Sequence, residues 1–276
     1  MIRPFIYIPL ILATCIIPVT SFAANDWRNR ASAEETGITK GDISAEISFG
    51  REIAARILGR YPAYNNPSMI KYINLVGATL ALNTNRPELE FHLMILDTDE
   101  INAYAAPGGY IFITKGALQY MKDESELAGV LAHEIAHVTE KHIVKDLKIK
   151  GTDETSDFAK LIGGSSGAAR AAFDQAVSLG VELIFKDDYK KEDEMQADKT
   201  GVTISALTGY DPTGLARYLY RIKPIKEKIP PPANSTHPTF EARVAQINDV
   251  ITKNGINYSV LAKNNNRFAE TMKELK

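Results

Sequence analysis

Two histidines stand four residues apart, with a glutamate directly after the first, in a stretch whose apolar positions recur at helical spacing. The stretch runs from Glu124 to Lys148, and the motif is His133-Glu134-Ile135-Ala136-His137. On a helix, side chains at this spacing share one face, so both imidazoles can reach a single tetrahedral metal ion. The fold must therefore place this helix beside a cleft and bring up a second element to complete the site.

The helical wheel of this stretch separates a packing face from a binding face. At about 100° per residue, His133 and His137 lie nearly opposite a cluster of apolar side chains: Leu127, Leu131, Ile135 and Val138. The same wheel puts His142 among the packing positions, which predicts a structural role for it. A metzincin site is excluded, because its longer motif needs a glycine and a histidine where Glu140 and Ile143 stand.

A catalytic zinc ion commonly takes three protein ligands and leaves a fourth position for water, so a third ligand must come from elsewhere in the chain. We expect it to be Glu194, which opens another helical segment and would complete a site for one zinc ion per chain. The face that carries Glu194 also carries small side chains, which would let the two helices approach closely: Ala197, Gly201 and Ser205. The alternative is a solvated acidic face, because Lys190 to Glu194 is rich in charge.

Two further carboxylates fit roles beside this metal. Asp198 lies one helical turn after the third ligand, where it could accept the free ring N–H of His133 or His137 and fix its tautomer. Glu134 directly follows the first histidine, which places it near a water on the metal as the general base. These roles predict hydrolysis of peptide bonds without a covalent intermediate.

The first residues predict export from the cytoplasm. A positive side chain at Arg3 precedes an apolar run, and Ser21-Phe22-Ala23 places small residues where signal peptidase requires them. We therefore expect a signal peptide at 1–23 and a mature chain in the periplasm. The alternative is a membrane-tethered lipoprotein, because Leu12-Ala13-Thr14-Cys15 resembles a bacterial lipobox in which Cys15 would carry the lipid anchor.

The rest of the chain predicts a mainly helical α+β fold with a small antiparallel sheet. Alternating side chains from Glu90 to Asp97 indicate one strand, and a Pro-Gly-Gly turn joins two more at Ala103 to Ala106 and Tyr110 to Thr114. Helical patterning dominates elsewhere. The expected organisation is an N-terminal extension at 24–40, a zinc metallopeptidase domain at 41–254 and a polar C-terminal tail at 255–276.

Several ordered blocks of the sequence also resemble a known family. The blocks are Asn102-Ala103-Tyr104-Ala105 with Pro107-Gly108-Gly109, His133 to His142, Glu194 to Gly201, and Ser235-Thr236-His237-Pro238 with Arg243. Together they resemble the gluzincin metallopeptidases that include the CAAX prenyl endopeptidase, HtpX, and the Oma-type and BepA-like proteases. Among these, we expect a compact periplasmic BepA-like member, because the motif is not surrounded by membrane-spanning segments.

The resemblance implies the same three zinc ligands, the same base and the same supporting carboxylate. It also implies that His237 can approach the zinc as a fourth ligand that holds the enzyme inactive. The alternative for His237 is a plain position in the turn before a helix. The first block would offer its backbone to an extended peptide beside the zinc, through Asn102, Ala103, Tyr104 and Ala105.

We expect the substrates to be extended or misfolded envelope proteins in protein quality control, with outer-membrane or envelope assembly factors as further partners. Nucleic acid is not expected as a partner, because 32 basic and 34 acidic residues leave a net charge of -2. The alternative function is a zinc-containing chaperone or assembly factor with little proteolysis. Such a site would need no base at Glu134, so this residue distinguishes the two functions.

Overall fold

A computed structural model describes residues 40–147, 167–186, 189–228 and 238–275 of the chain. The expected signal peptide, Cys15, residues 24–39 of the expected extension and His237 lie outside the described residues. Within the described ranges, no helix combines the length and the apolar character needed to cross a membrane.

Helices make up most of the described residues and surround one small sheet. The helices are α1 (Lys40–Arg60), α2 (Pro67–Ala81), α3 (Lys115–Gln119), α4 (Glu124–Thr139), α5 (His142–Asp146), α6 (Gly167–Phe185), α7 (Lys191–Thr208), α8 (Gly214–Lys226), α9 (Phe240–Lys253) and α10 (Asn265–Met272). The strands are β1 (His92–Leu96), β2 (Ala103–Ala106) and β3 (Tyr110–Thr114). The predicted mainly helical α+β class and the three predicted strands are confirmed.

The sheet is mixed rather than antiparallel. Its strand order is β1-β3-β2, with β3 antiparallel to β2 and parallel to β1. Between β2 and β3 the chain turns at Gly108 and Gly109, whose φ angles of 74° and 96° favour glycine. The expectation of antiparallel pairing throughout was wrong, because β1 pairs with β3 and not with β2. This order leaves β2 at one edge of the sheet.

The two faces of the sheet pack into separate buried cores. Ile95 and Ile111 belong to a core shared with α2, α4, α8 and α9. Tyr104 and Phe112 belong to a second core, shared with α1 and α6. Successive side chains of a strand point to opposite faces, so one small sheet supplies both cores. All the residues of α4 are buried, and this helix packs against β2 and β3.

The long helix predicted from Glu124 to Lys148 is interrupted just after the metal motif. α4 ends at Thr139, Lys141 takes a left-handed conformation with φ of 59°, and α5 begins at His142. A left-handed residue cannot continue a right-handed helix, so the chain changes direction here. A single wheel drawn through the whole stretch therefore misplaces His142.

The C-terminal residues anchor the start of α4. Glu124 is fully buried, accepts a hydrogen bond from Asn264 at 2.9 Å and forms an ion pair with Arg267. Phe268 of α10 is also buried in the core. The part of the chain expected to be a polar tail thus contains a helix that contacts the start of α4, the helix that carries His133 and His137.

The close contact between α4 and α7 requires a glycine at position 201. Gly201 belongs to the face of small side chains that was expected beside Glu194. A Cβ atom at Gly201 would lie 2.9 Å from the backbone nitrogen of His133. We therefore expect Gly201→Ala to lower the free energy of unfolding by about 1–3 kcal/mol and to disturb the metal site predicted from the sequence, because overpacking separates the helices. Gly59→Ala is the matched control, since its Cβ would meet nothing within 4 Å. Equal melting temperatures for the two variants would contradict this role of Gly201.

Candidate active site

Three buried side chains from α4 and α7 converge on one point. His133 and His137 lie one turn apart on α4, and Glu194 comes from the first turn of α7. The two Nε2 atoms are 3.1 Å apart, His137 Nε2 is 3.3 Å from Glu194 Oε1, and His133 Nε2 is 3.6 Å from Glu194 Oε2. The structure thus brings together the three residues that the sequence selected as ligands.

The chemistry and the spacing of these atoms suit a metal ion. Tetrahedral geometry with ligand bonds of about 2.0–2.1 Å separates neighbouring ligand atoms by about 3.3–3.4 Å, close to the distances between these three groups. Two neutral imidazoles and a carboxylate are also a ligand set that zinc accepts readily. Since their lone pairs face one another in a buried place, a cation between them would remove their mutual repulsion.

Asp198 supports one of the two imidazoles from behind. Asp198 is fully buried, and its Oδ1 lies 2.9 Å from Nδ1 of His133. The sequence left open whether this carboxylate would meet His133 or His137, and the structure places it against His133. A carboxylate on Nδ1 keeps the proton there and leaves the lone pair of Nε2 for a metal.

Arg243, from α9, ties Asp198 and Glu194 together. Its Nε and Nη2 atoms donate to the two carboxylate oxygens of Asp198 at 2.8 and 2.7 Å, and its Nη1 lies 3.1 Å from Oε2 of Glu194. Bidentate pairing with a guanidinium fixes the plane of a carboxylate as well as its position. Arg243 therefore orients Glu194, a proposed ligand, and also Asp198, the acid that contacts the proposed ligand His133.

The charge of Arg243 also keeps the two acids ionised. Burial raises the pKa of Glu194, but Arg243 and the two histidines outweigh it and hold this pKa well below its usual range. Burial likewise raises the pKa of Asp198, and Arg243 together with His133 brings it below its ordinary value. Both side chains are therefore carboxylates at neutral pH, which is the form that supports metal binding.

His137 has a different neighbour on its far side. His142 is buried, and its Nδ1 lies 2.9 Å from Nδ1 of His137. Burial first, and then the neighbouring imidazole of His137, lowers the pKa of His142 to about 3, so the ring of His142 is neutral at physiological pH. The expectation that His142 packs away from the ligand pair was wrong, because the break at Lys141 turns its ring toward His137.

Glu134 borders a cavity of about 630 Å³ that opens beside the three converging side chains. The same cavity is lined by His133, His137 and Glu194, and part of its wall is apolar, with Leu215 among the contributors. A carboxylate that lines a cavity together with the three converging side chains has the position that a general base would need.

The edge strand β2 forms a border of this cavity. Five consecutive residues in and just before β2 line the cavity: Ile101, Asn102, Ala103, Tyr104 and Ala105. Among the described residues, β2 pairs with β3 and with no other strand, so β2 is an edge strand of the sheet. An edge strand beside a cavity is a place where an extended peptide can add as a further strand.

Sequence reasoning assigned no role to Arg243, although it noted this residue in a block that resembles known proteases. The partner Asp198 lies 45 residues earlier in the chain, so no helical or strand period connects the two. The only signal was indirect, since two acids predicted to lie on one helix face beside the histidines favour a positive partner. His237 stays a prediction, and Pro238, the first described residue after it, lines the cavity.

A family model described as Peptidase family M48 matches residues 67–251 of the chain. This range contains the three converging side chains, Glu134 and the pair formed by Asp198 and Arg243. It also contains the sheet and the whole lining of the cavity that the structure describes.

Three named proteases are similar to this chain. It is 28% identical over 211 residues to the Beta-barrel assembly-enhancing protease of Escherichia coli strain K12, covering 74% of this chain and 43% of that protein. It is 24% identical over 192 residues to the Metalloprotease LoiP of the same strain, and the match covers 69% of this chain and 74% of LoiP. It is 25% identical over 190 residues to the Mitochondrial metalloendopeptidase OMA1 of Schizosaccharomyces pombe, and the match covers 68% of this chain and 54% of OMA1. The chain thus spans less than half the length of the first relative.

Proposed function

Because this chain belongs to peptidase family M48, we propose that it is a zinc-dependent endopeptidase that hydrolyses peptide bonds of extended or misfolded envelope proteins. The family match over residues 67–251 supports a metallopeptidase domain in this part of the chain. The observation that carries the proposal is the meeting of His133, His137 and Glu194 at one point, with Glu134 on the adjoining cavity.

The proposed chemistry needs one proton carrier, and Glu134 fills that role. A zinc ion held by the three ligands would polarise the scissile carbonyl and make a water more acidic. Glu134 accepts a proton from the attacking water and later delivers it to the nitrogen of the leaving segment. Water attacks the carbonyl directly, so no covalent bond forms between the protein and the substrate.

The other charged residues of the site hold the ligands in place. Asp198 keeps the proton of His133 on Nδ1, so that Nε2 of this imidazole is free to bind the metal. Arg243 fixes the carboxylates of Glu194 and Asp198 through the contacts described above and offsets their negative charge. The site is therefore organised before a substrate arrives, which lowers the cost of reaching the transition state.

We propose that substrates bind as an added strand along β2. The backbone from Asn102 to Ala105 runs along the same cavity as Glu134, so an extended peptide paired with this edge would pass beside the metal. Only a segment without its own secondary structure can pair in this way. This restriction favours unfolded or misfolded proteins over compact ones.

The proposed cellular setting is supported by the N-terminal sequence and by the names of similar proteins. The apolar run with Ser21-Phe22-Ala23 supports export to the periplasm. One relative is named a beta-barrel assembly-enhancing protease, which supports substrates and partners among outer-membrane proteins. In this proposal, quality control of such proteins is the function, and His237 holds the enzyme latent until a substrate displaces it.

Removal of the metal is the direct test of this proposal. Dialysis against a chelator should reduce casein hydrolysis by at least about a hundredfold, because the chemistry depends on a metal ion between the three ligands. One equivalent of zinc per chain should restore activity, and cobalt should replace zinc in part, whereas magnesium should not. Peptide release from casein and elemental analysis of each preparation provide the measurements. Undiminished hydrolysis by metal-free protein would contradict the proposed function.

A further inference from the structure

His137 is the second proposed zinc ligand, and its Nδ1 atom faces the imidazole of His142, whereas Nδ1 of His133 faces a carboxylate. We propose that His142 is a positioning residue, which accepts a hydrogen bond from His137 and so directs the lone pair of His137 toward the metal. This inference rests on the proposed function, because it takes His137 as a zinc ligand. It assigns to His142 a task different from the packing role that its helical spacing suggests.

The position of His142 follows from the break between α4 and α5. A continuous helix would direct a side chain at this position away from His137. The left-handed backbone at Lys141 instead begins α5 at His142. The two Nδ1 atoms come within 2.9 Å, with the ring planes at 78° and the ring centres 4.9 Å apart. This is the separation of a hydrogen bond and not of a mere packing contact.

The direction of this hydrogen bond follows from counting protons. Two nitrogens at 2.9 Å share one proton. Nε2 of His137 faces Glu194 and His133 at the point where the metal ligands meet, so that nitrogen must carry the lone pair and Nδ1 must carry the proton. His137 therefore donates, and Nδ1 of His142 accepts.

The far side of the His142 ring agrees with this assignment. If Nδ1 accepts, the proton of the neutral ring is on Nε2. Nε2 of His142 faces oxygen atoms, with Oε1 of Gln196 at 3.5 Å and Oδ1 of Asp193 at 3.7 Å. Gln196 in turn donates to the carboxylate of Glu140. The acceptors on this side make a proton on Nε2 favourable and leave Nδ1 unprotonated.

The two proposed imidazole ligands are thus oriented by acceptors of different charge. His133 meets the carboxylate of Asp198, which Arg243 neutralises in part. His137 meets the neutral ring of His142, which adds no negative charge to a buried site that already holds Glu134, Glu194 and Asp198. A neutral acceptor fixes the tautomer of His137 without the need for a second buried cation.

Three substitutions at position 142 separate positioning from packing. In His142→Asn, the amide oxygen can occupy the place of Nδ1 and accept the same hydrogen bond, whereas in His142→Gln the amide group lies nearer the place of Nε2. His142→Leu fills space without any acceptor. Each variant is compared with the wild type by competition for zinc with a chromophoric chelator, and by its melting temperature. His92→Leu, at an exposed histidine on β1, is the control.

We expect His142→Leu and His142→Gln to weaken zinc affinity about 10- to 100-fold, the usual effect of losing a partner behind a ligand. His142→Asn should stay within about threefold of the wild type, even where its melting temperature falls as far as that of His142→Leu. The absorption spectrum of cobalt-loaded protein should be wild-type-like in His142→Asn and altered in His142→Leu, because it reports the geometry of the ligands.

Two results would overturn the role of His142. Wild-type zinc affinity in His142→Leu would show that no acceptor is needed. An equal loss of zinc affinity in all three variants, in proportion to the fall in melting temperature, would show that His142 has a packing role alone. The proposed function fails separately: if the wild type binds no zinc, or His137→Ala binds it as tightly as the wild type, the metal site is wrong and the positioning role is wrong with it.

Discussion

Glu134→Gln is expected to abolish casein hydrolysis while zinc content stays at one ion per chain. The amide keeps the shape of the side chain but cannot take a proton from water, and general-base catalysis contributes about 10²–10⁴ in rate. Glu134 lies on the cavity and not among the three converging groups, so zinc binding should persist. The rate of peptide release and elemental analysis of the same preparation measure the two effects.

The same variant separates the protease from a chaperone with structural zinc. A chaperone needs no base, so Glu134→Gln would suppress aggregation of an unfolded outer-membrane protein as well as the wild type does. Glu192→Gln, an exposed glutamate on α7, is the control for the loss of one negative charge. If Glu134→Gln cleaves casein at the wild-type rate, Glu134 is not the base and the proposed mechanism is wrong.

Glu194→Gln is expected to lose zinc as well as activity. The substitution replaces an anionic ligand by a neutral amide, so the loss of affinity should exceed the 10- to 100-fold typical of residues behind the ligands. It also removes a partner of Arg243, whose Nη1 lies 3.1 Å from Oε2 of Glu194 in a buried place. Removing one partner from a buried ion pair destabilises the fold, and the melting temperature should fall as well.

Chelator competition and calorimetry measure these two effects, and Glu192→Gln is again the control, because it lies on the same helix and is exposed. Glu192→Gln should bind zinc and unfold like the wild type. Zinc affinity within a fewfold of the wild type in Glu194→Gln would show that this carboxylate is not a ligand, and the third ligand would have to be sought elsewhere.

The sequence predicted the parts of the site that depend on local periodicity. His133 and His137 belong to one helix, so their spacing alone determines that they share a face. Glu194 was found because its helix face carries small side chains, and Gly201 on that face indeed approaches the backbone of His133. The mainly helical α+β class and the three strands were predictable for the same reason, since the spacing of apolar residues that indicates a helix or a strand lies within that one element.

The parts that could not be predicted depend on single backbone angles or on contacts between distant elements. Lysine rarely adopts a left-handed conformation, so nothing in the sequence marks Lys141 as the place where the helix breaks. The alternating side chains of β2 and β3 are alike, so the sequence does not indicate which of these two strands pairs with β1. Arg243 could be assigned only when α9 was seen against α7.

The dependence of Glu194 and Asp198 on Arg243 bears on the order in which the protein becomes active. During synthesis, His133, His137 and Glu194 all emerge before Arg243. Until α9 docks, Arg243 cannot offset the charge of the two acids or fix their orientation, so the cleft is incomplete. A chain still leaving the ribosome or crossing a membrane would therefore be a poor protease. Under the proposed function, the chain would begin to cleave substrates only after α9 has docked, so unfolded copies of it would not cleave one another.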